Sequence, residues 1–255
     1  MEQHRSTTRA LDILQMVASS LEGFTLTEMA ELLGAPRSSL FPIIHTLANR
    51  GFIMQDPKSM KYTIGIQAYA VGSAYLGTND AYRMIYNEME RIADTCKETC
   101  QLGILDDDQI LYIGKVDSGE VIRLSSHVGK RLPVHCTALG KAMASVMSFD
   151  ELRAICKEPL IRRTEHTITD LSVLYEQLQQ VRVDGIARDR QETQDNVQCL
   201  AIPLFPHGKP ACAISVSVPL FRYTEEKERL VRSCLLEAKQ RLEAGLEQMQ
   251  IALPL

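Results

Sequence analysis

The side chains best suited to covalent or metal chemistry in this sequence are seven cysteines and six histidines. Cys136 directly follows His135, and either Cys136 or Cys199 with this histidine has the residue types of a thiol nucleophile and its base. No nucleophile-elbow, phosphate-loop, dinucleotide-binding or zinc-protease motif accompanies them. A thiol enzyme is therefore a minor alternative, and we expect that the chain is not an enzyme.

Metal binding is a second alternative. The candidate ligands are too scattered for a recognisable zinc spacing. They are His127, His135, Cys136, His166 and His207. Cys96 and Cys100 lie four residues apart on a predicted helix, where burial as small apolar side chains is the simpler interpretation. We expect no metal and no cofactor, and a metal sensor remains the less favoured reading.

The overall composition is ordinary for a globular protein, with 45% hydrophobic and 24% charged residues in 255. No stretch approaches the ~20 apolar residues of a membrane span, and residues 1–10 lack the apolar core of a signal peptide. An odd number of scattered cysteines favours a reducing compartment. We therefore expect a cytoplasmic protein without a membrane partner. The net charge of −4 does not by itself indicate nucleic-acid binding.

Two short helices joined by a glycine-containing turn are the clearest local pattern. Thr25 and Glu28 have the spacing of a capping box at the start of the first helix, and Gly34 is suited to end it. Pro36 fits the first position of the second helix, because its missing N–H would be unpaired there, and Gly51 ends that helix. This arrangement predicts a helix-turn-helix.

The flanking segments extend this unit. Residues 8–21 predict a preceding helix capped by Thr7 or Thr8. Its expected apolar face consists of Leu11, Leu14, Val17, Ala18 and Leu21. FIMQD and KYTIG predict two strands around a polar turn, which is the pattern of a wing.

The remaining residues predict helices packed on an antiparallel sheet. Helices are expected at 84–99, 137–147, 150–157, 169–184 and 224–248, and strands at 101–106, 110–116, 121–127, 197–205 and 211–219. The predicted fold class is α+β. We divide the chain into a winged helix-turn-helix over residues 1–66, a linker helix over 67–82, and a larger domain over 83–255.

These motifs resemble the IclR family of transcriptional regulators over residues 7–246. TRALDIL resembles the opening helix of the family, and LTEMAELLGAPRSSLFPIIHTLANRGFI its helix-turn-helix. YTIGIQAYAVGSAYL resembles the second wing strand and the linker helix, and RLPVHCTALGKAMAS a loop-to-helix segment of the sensing domain.

The most specific part of the resemblance is GIARDRQETQDNVQCLAIPLF. Its matching positions are Gly185, Asp189, Glu192, Cys199, Leu200, Ala201 and Leu204. The resemblance implies a GAF-like effector-binding domain and dimers, often paired into tetramers, on palindromic operators in double-stranded DNA. It also implies a small organic acid as effector. The expected function is a ligand-responsive repressor of a catabolic operon, with a transcriptional activator as the alternative.

The resemblance implies that the second helix of the pair is a recognition helix in the major groove. Arg37 can bind guanine or a phosphate, and serine hydroxyls can donate to phosphates. The predicted DNA-binding residues are Thr25, Thr27, Arg37, Ser38, Ser39, Phe41, His45, Lys58 and Lys61. Taken alone, these are ordinary surface residues, and their position in a winged helix-turn-helix is what favours a role on DNA.

The resemblance also points to four segments that would hold the effector. The predicted effector-binding residues are Ala138, Leu139, Gly140, Asp189, Glu192, Val197, Cys199, Ser215 and Ser217. Ser215 and Ser217 alternate with apolar residues and share one strand face, so as buried hydroxyls they need partners. His135 and Arg123 are plausible additions.

Two positions depart from the family pattern. Pro42 stands where the family usually has an arginine that reaches DNA, and a proline inside a helix costs roughly 3 kcal/mol. We therefore expect a kinked or reshaped recognition helix with altered base contacts. Asn196 stands where the family commonly has glycine, and asparagine tolerates a left-handed backbone better than most residues.

Overall fold

A computed structural model describes residues 4–77, 79–121, 126–208 and 210–249. The chain divides into two compact units, Met1–Asp80 and Ala81–Leu255, which we call the N-terminal and the C-terminal unit. None of the helices in the described ranges combines the length and the apolar composition that a membrane span requires.

The N-terminal unit contains four helices and a two-stranded hairpin among its described residues. They are α1 Arg5–Ala18, α2 Leu26–Leu32, α3 Arg37–Asn49, β1 Ile53–Gln55, β2 Tyr62–Ile64 and α4 Ile66–Gly77. The strands β1 and β2 are antiparallel, with Ile53 opposite Ile64. The helix-turn-helix and the wing predicted from the sequence are confirmed.

The predicted capping box at the start of α2 is present. The Thr25 hydroxyl accepts from the Glu28 N–H at 3.3 Å, and the Glu28 carboxylate accepts from the Thr25 N–H at 2.7 Å. Both bonds satisfy N–H groups that have no partner inside the helix. Met29 follows, fully buried, in the core that joins α1, α2 and α3.

Two details of the predicted helices are wrong. Helix α1 begins at Arg5, so the N-cap position is His4 rather than Thr7 or Thr8. The His4 side chain makes no capping hydrogen bond. The buried side chains of α1 are Ile13 and Val17, whereas Leu11 is 55% exposed. Of the predicted apolar face, Val17 is buried and Leu14 packs partly against the same core, whereas Ile13 rather than Leu11 points inward, because packing against α2 and α3 selects the buried face.

The start of α3 is also displaced by one residue. Pro36 precedes the helix as its N-cap with an extended ψ of 138°, and its carbonyl accepts the N–H groups of Ser39 and Leu40. Further along, Pro42 lies inside an uninterrupted helix. A proline there deprives only the Ser38 carbonyl of its helical donor, and Ser38 is exposed to water.

The C-terminal unit contains five helices and a six-stranded antiparallel sheet among its described residues. They are α5 Asp80–Cys96, β3 Thr99–Asp106, β4 Gln109–Val116, β5 Arg131–Pro133, α6 Ala138–Ala144, α7 Phe149–Ile155, α8 Leu171–Asp184, β6 Ala187–Arg190, β7 Val197–Leu204, β8 Cys212–Pro219 and α9 Glu225–Gln248. The first residue of α5 falls just before the boundary between the units. The α+β class is confirmed.

The strand order of this sheet is β5-β4-β3-β8-β7-β6, and every neighbouring pair is antiparallel. The predicted strand over residues 121–127 does not appear in the part that is described, because residues 122–125 lie outside the described residues and Ser126 and His127 are not in a strand. The short edge strand β5 takes the position beside β4 instead.

The sheet is covered on both faces, which explains why every residue of β8 is buried. Ile214, Val216 and Val218 pack with α5 and α9 in one core. Ala213 belongs to the other core, together with residues of α6, α7 and α8. Because strand residues alternate between faces, Ser215 and Ser217 point toward this second core.

Candidate functional site

The C-terminal unit contains a cleft on the face of the sheet that carries α6. It is narrow, with a cavity volume of about 30 Å³. Most of the predicted effector residues line it, namely Ala138, Leu139, Asp189, Val197, Cys199, Ser215 and Ser217.

A row of polar side chains crosses three strands at this cleft. Asp189 on β6 is opposite Cys199 on β7, and Cys199 is opposite Ser217 on β8. Directly opposed residues project from the same face of a sheet, so the register alone aligns the three groups. The Cys199 sulfur lies 3.2 Å from the Ser217 hydroxyl oxygen.

Gln101 on β3 continues this polar surface and was not predicted. Its amide oxygen accepts from the hydroxyls of Ser217 at 3.1 Å and Ser215 at 3.4 Å. Its amide nitrogen donates to the Ser126 hydroxyl at 2.6 Å. The glutamine therefore orients both serines. The only feature of the sequence that could have indicated Gln101 is that it is a single amide side chain in the otherwise apolar strand that begins TCQLGIL.

Asp189 is the acidic group of the cleft and is 4% exposed. Burial raises the pKa of its carboxyl to about 6, because a charged carboxylate loses its hydration there. The N–H groups of Glu192 and Thr193 donate to one of its oxygens at 2.7 and 3.3 Å. Hydrogen bonding from the Thr193 side chain and from the Glu192 N–H opposes the rise in pKa. The carboxyl consequently titrates close to neutral pH.

Two predicted effector residues, Glu192 and Gly140, are not among the residues that line the cleft. The Glu192 carboxylate binds the Lys141 ammonium at 2.5 and 2.6 Å instead. The Gly140 N–H donates to the Thr137 hydroxyl at 2.9 Å. A Cβ atom at Gly140 would overlap the Val134 carbonyl oxygen, so close backbone packing explains this glycine.

Lys141 is 1% exposed and was missed by sequence reasoning. Besides Glu192, its ammonium donates to the Gln177 amide oxygen at 2.9 Å and to the Arg188 carbonyl at 3.1 Å. These bonds join α6, α8 and the end of β6. Because Glu192 also donates its N–H to Asp189, the buried ion pair positions the segment that carries the acidic group of the cleft.

Other cleft residues were not predicted individually. They are Tyr112, Ser126, Lys130, Leu132, Thr137, Thr193 and Gln194. His135, a further candidate from the sequence, is not among the lining residues, and its Nε2 lies 3.0 Å from the Ile161 carbonyl oxygen. Arg123 lies outside the described residues.

The beginning of α3 is the exposed end of the helix-turn-helix. Arg37, Ser38 and Phe41 are exposed there, and His45 is exposed one turn further. The rings of Phe41 and His45 stack with centroids 5.9 Å apart. The geometry thus leaves a cation, a hydroxyl and two rings accessible on the first turns of this helix.

Ser39 occupies a different environment from its neighbour Ser38. Its hydroxyl accepts from the Arg9 guanidinium at 2.9 Å and donates to the Pro36 carbonyl at 2.8 Å. Arg9 on α1 was not predicted and holds the start of α3. Ser39 therefore already has partners within the N-terminal unit.

The remaining predicted DNA-binding residues lie on α2 and the wing. Thr27 is half-buried on the first turn of α2, and the Thr25 hydroxyl is engaged in the capping box. Lys58 at the tip of the wing is exposed, whereas the Lys61 ammonium lies 3.7 Å from the Glu22 carboxylate.

The geometry also tests the two alternative hypotheses, a thiol enzyme and a metal sensor. Burial raises the pKa of the Cys136 thiol to about 11 and that of the Cys199 thiol still further. Both sulfurs therefore stay protonated near neutral pH, which is unfavourable for a nucleophile. Within the described part of the chain, no three His, Cys, Asp or Glu side chains come together as candidate metal ligands.

Comparison with known families matches two profiles in the order found in the structure. Residues 6–57 match the IclR helix-turn-helix domain. Residues 73–244 match the bacterial transcriptional regulator IclR C-terminal domain.

Individual relatives agree with these profiles. The HTH-type transcriptional regulator KdgR of Escherichia coli (strain K12) is 30% identical over 243 residues, which is 94% of this chain and 92% of KdgR. Two further relatives are named as repressors.

Two solved structures are similar in fold. An IclR transcriptional regulator from Alicyclobacillus acidocaldarius is 26% identical, with a TM-score of 0.86 over 96% of this chain and 100% of that one. An IclR homolog from Microbacterium hydrocarbonoxydans, complexed with 4-hydroxybenzoate, is 20% identical, with a TM-score of 0.74 over 94% and 99%. The chain therefore belongs to the IclR family and is a DNA-binding transcriptional regulator rather than an enzyme.

Proposed function

We propose that this regulator is a repressor of a catabolic operon and that a small organic acid, bound in the cleft of the C-terminal unit, sets its affinity for DNA. The observation that carries the proposal is the polar row of Asp189, Cys199 and Ser217 inside a cleft of a chain that also exposes a recognition helix. Repression is favoured because relatives carry the name of repressors.

The proposed effector site combines hydrogen-bond donors and acceptors in one cleft. The hydroxyls of Ser215 and Ser217 are held by one glutamine and can exchange a bond with a ligand oxygen. Asp189 can accept from a hydroxyl group of the ligand. The first N–H groups of α6, at Ala138 and Leu139, have no partner within the helix and can donate to it.

The relative from Microbacterium hydrocarbonoxydans, whose complex contains 4-hydroxybenzoate, supports the same class of ligand. That molecule has both a carboxylate and a hydroxyl group. In our proposal Glu192 and Gly140 contribute indirectly, since Glu192 anchors the segment after β6 and Gly140 allows α6 to pack closely.

The proposed contacts to DNA start at α3. Arg37, Ser38, Phe41 and His45 would approach base edges and phosphates, because they are exposed on the first turns of this helix. Lys58, Lys61, Thr25 and Thr27 would hold the flanking backbone, and Ser39 would keep the helix start in place together with Arg9.

We further propose that two copies bind a palindromic operator, and that pairs of dimers form tetramers. Helix α4 supports self-association, because it exposes large apolar side chains. Ile66, Tyr69 and Val71 are 70%, 68% and 64% exposed. Ile66 and Tyr69 are one turn apart and share one side of the helix, whereas Val71 lies on another side. Monomeric proteins rarely leave large apolar patches in water, and a second copy of this chain would cover the side with Ile66 and Tyr69.

A binding assay in three steps tests the proposed function. Duplexes that bind the protein are first selected from a random pool, and half-sites about 34 Å apart are expected from a symmetric dimer. Short keto, hydroxy and sugar acids are then screened by thermal shift. A ligand at about 100 times its dissociation constant should add roughly 2.7 kcal/mol of stability.

The third step adds each stabilising acid to the protein–DNA complex and measures affinity by fluorescence anisotropy. A change in affinity is expected, and affinity without ligand should fall steeply with salt. Acids that bind without changing affinity for DNA would remove the sensing role. In the same assay Pro42→Arg should change affinity or preferred sequence, and an unchanged result would mean that Pro42 does not reshape DNA contacts.

A further inference from the structure

Lys130 is the one cation among the described residues that line the cleft. It is half-buried, and burial together with the nearby charge of Arg163 lowers the pKa of its ammonium. No hydrogen bond or ion pair engages this ammonium among the residues that the structure describes. An ammonium that has lost part of its hydration gains most from an anion placed beside it.

The surroundings of Lys130 do not supply that anion. Arg163 donates through Nε to the Thr193 carbonyl at 3.3 Å and so presents a second positive charge to the same region. Asp189 lines the cleft too, but its carboxylate accepts from the N–H groups of Glu192 and Thr193. Both of these bonds end on one oxygen, Oδ1, and among the described residues the Asp189 carboxylate forms no ion pair with Lys130.

The sheet separates these two charges along its width. The Lys130 carbonyl accepts from the Tyr112 N–H on β4 at 2.9 Å, next to the edge strand β5. Asp189 lies on β6, which is the opposite edge strand. Both residues nevertheless line one cleft, to which one edge of the sheet contributes a cation and the other edge an acid.

We infer that Lys130 is the residue that makes the cleft select an anion, while the row of Asp189, Cys199 and Ser217 receives hydroxyl groups at the other end of the same ligand. This inference rests on the proposed function. It adds the residue that binds the anionic group and the orientation of the ligand in the cleft. A carboxylate beside Asp189 would be repelled, so its place is beside Lys130. A neutral alcohol of the same shape keeps the hydroxyl contacts and loses the charged one.

Matched acids and alcohols test this inference on the full-length protein. The pairs are glycolate with ethylene glycol, lactate with 1,2-propanediol, gluconate with sorbitol, and 4-hydroxybenzoate with 4-hydroxybenzyl alcohol. Affinities are measured by titration calorimetry for the wild type, Lys130→Met, which keeps length and removes charge, and Lys130→Arg, which keeps charge. Lys157→Met, at an exposed lysine outside this cleft, controls for net charge.

In the wild type we expect at least one acid to bind about tenfold or more tightly than its alcohol. Lys130→Met should remove most of that preference, while Lys130→Arg and Lys157→Met should retain it. Equal losses for acid and alcohol, or unchanged binding of the acid, would overturn the role of Lys130 and leave the effector site intact. If only alcohols bind the wild type, the inference fails while ligand sensing stands. If no probe binds the wild type, the proposed sensing of small acids fails, and the inference fails with it.

Discussion

The two units of this regulator present polar groups in opposite ways. The N-terminal unit exposes Arg37, Ser38 and His45 on one helix, where each is already hydrated. The C-terminal unit buries its polar groups, and Asp189, Ser215 and Ser217 are at most 4% exposed. A buried polar group costs free energy unless it is bonded. The polar site of the C-terminal unit therefore requires hydrogen-bond partners for its buried groups. The polar surface of the N-terminal unit requires only that α3 exposes the right face.

This difference predicts that the buried pair of Lys141 and Glu192 is the most sensitive polar feature of the chain. Lys141→Met leaves the Glu192 carboxylate without its main partner, and removing one member of a buried pair typically costs about 3–5 kcal/mol. Because the chain has no tryptophan, urea unfolding is best followed by circular dichroism, with hydrogen exchange reporting on each unit separately.

The control is Arg229→Met on the surface of α9, where arginine and Glu225 are 73% and 94% exposed. A surface pair of this kind contributes about 0–1 kcal/mol. The double variant Lys141→Met with Glu192→Met should recover part of the loss, because no uncompensated charge remains. If Lys141→Met is as stable as the wild type, burial does not make this ion pair more important for stability than the exposed pair of Arg229 and Glu225.

The second prediction concerns the acid of the cleft and its dependence on pH. The pKa of Asp189 is raised in the folded protein from 3.8 to about 6. Its contribution to stability is therefore fully present below the unfolded pKa and is lost as pH rises through about 6. Asp189→Asn keeps an oxygen for the two backbone donors and cannot ionise. Without ligand, it should gain on the order of 3 kcal/mol relative to wild type between pH 4 and pH 8.

Comparing the two proteins at each pH cancels the titration of all other groups. Asp195→Asn on the loop that follows β6 is the control, because Asp195 is exposed, and a small difference at both pH values is expected. A constant difference between wild type and Asp189→Asn from pH 4 to pH 8 would mean that the carboxyl is not desolvated in the folded state.

The same contrast explains how much the sequence could predict. The elements of the N-terminal unit follow from interactions between residues three or four apart, so the capping box of Thr25 and Glu28 was readable directly. Only helix boundaries and the orientation of α1 differed, because its inward face is chosen by packing. Pro36 is likewise shifted by one position, because it is the N-cap of α3 rather than its first helical residue.

The cleft could be predicted only in part. The family resemblance identified Asp189, Cys199 and Ser217, but their alignment arises from the register of three strands. Lys141 was missed because a lysine on a short helix has no local signal of burial. Its partner Glu192 is 51 positions away in the sequence and becomes a neighbour only after the sheet has formed.

A third prediction tests the exposed side of the comparison. Arg37→Ala should weaken binding to the selected duplex by about tenfold, since a good contact of arginine with a base contributes about 1–3 kcal/mol. Stability should barely change, because Arg37 is exposed and bonds nothing in the N-terminal unit that the structure describes. Arg50→Ala, at the other end of α3, is the matched control. Equal losses in both variants would indicate a general effect of charge rather than a contact made by the start of the helix.

The smallest expected effect is loss of the cap of α2. Thr25→Ala removes the hydroxyl that accepts from the Glu28 N–H, and such a change typically costs about 1 kcal/mol. Hydrogen exchange should increase in the N-terminal unit and stay unchanged around the cleft, since each unit has its own core. Thr25→Ser, which retains the hydroxyl, should behave like the wild type. Faster exchange at β7 and β8 in Thr25→Ala would mean that the two units unfold together. The units would then differ in how they present polar groups but would not be independent in stability.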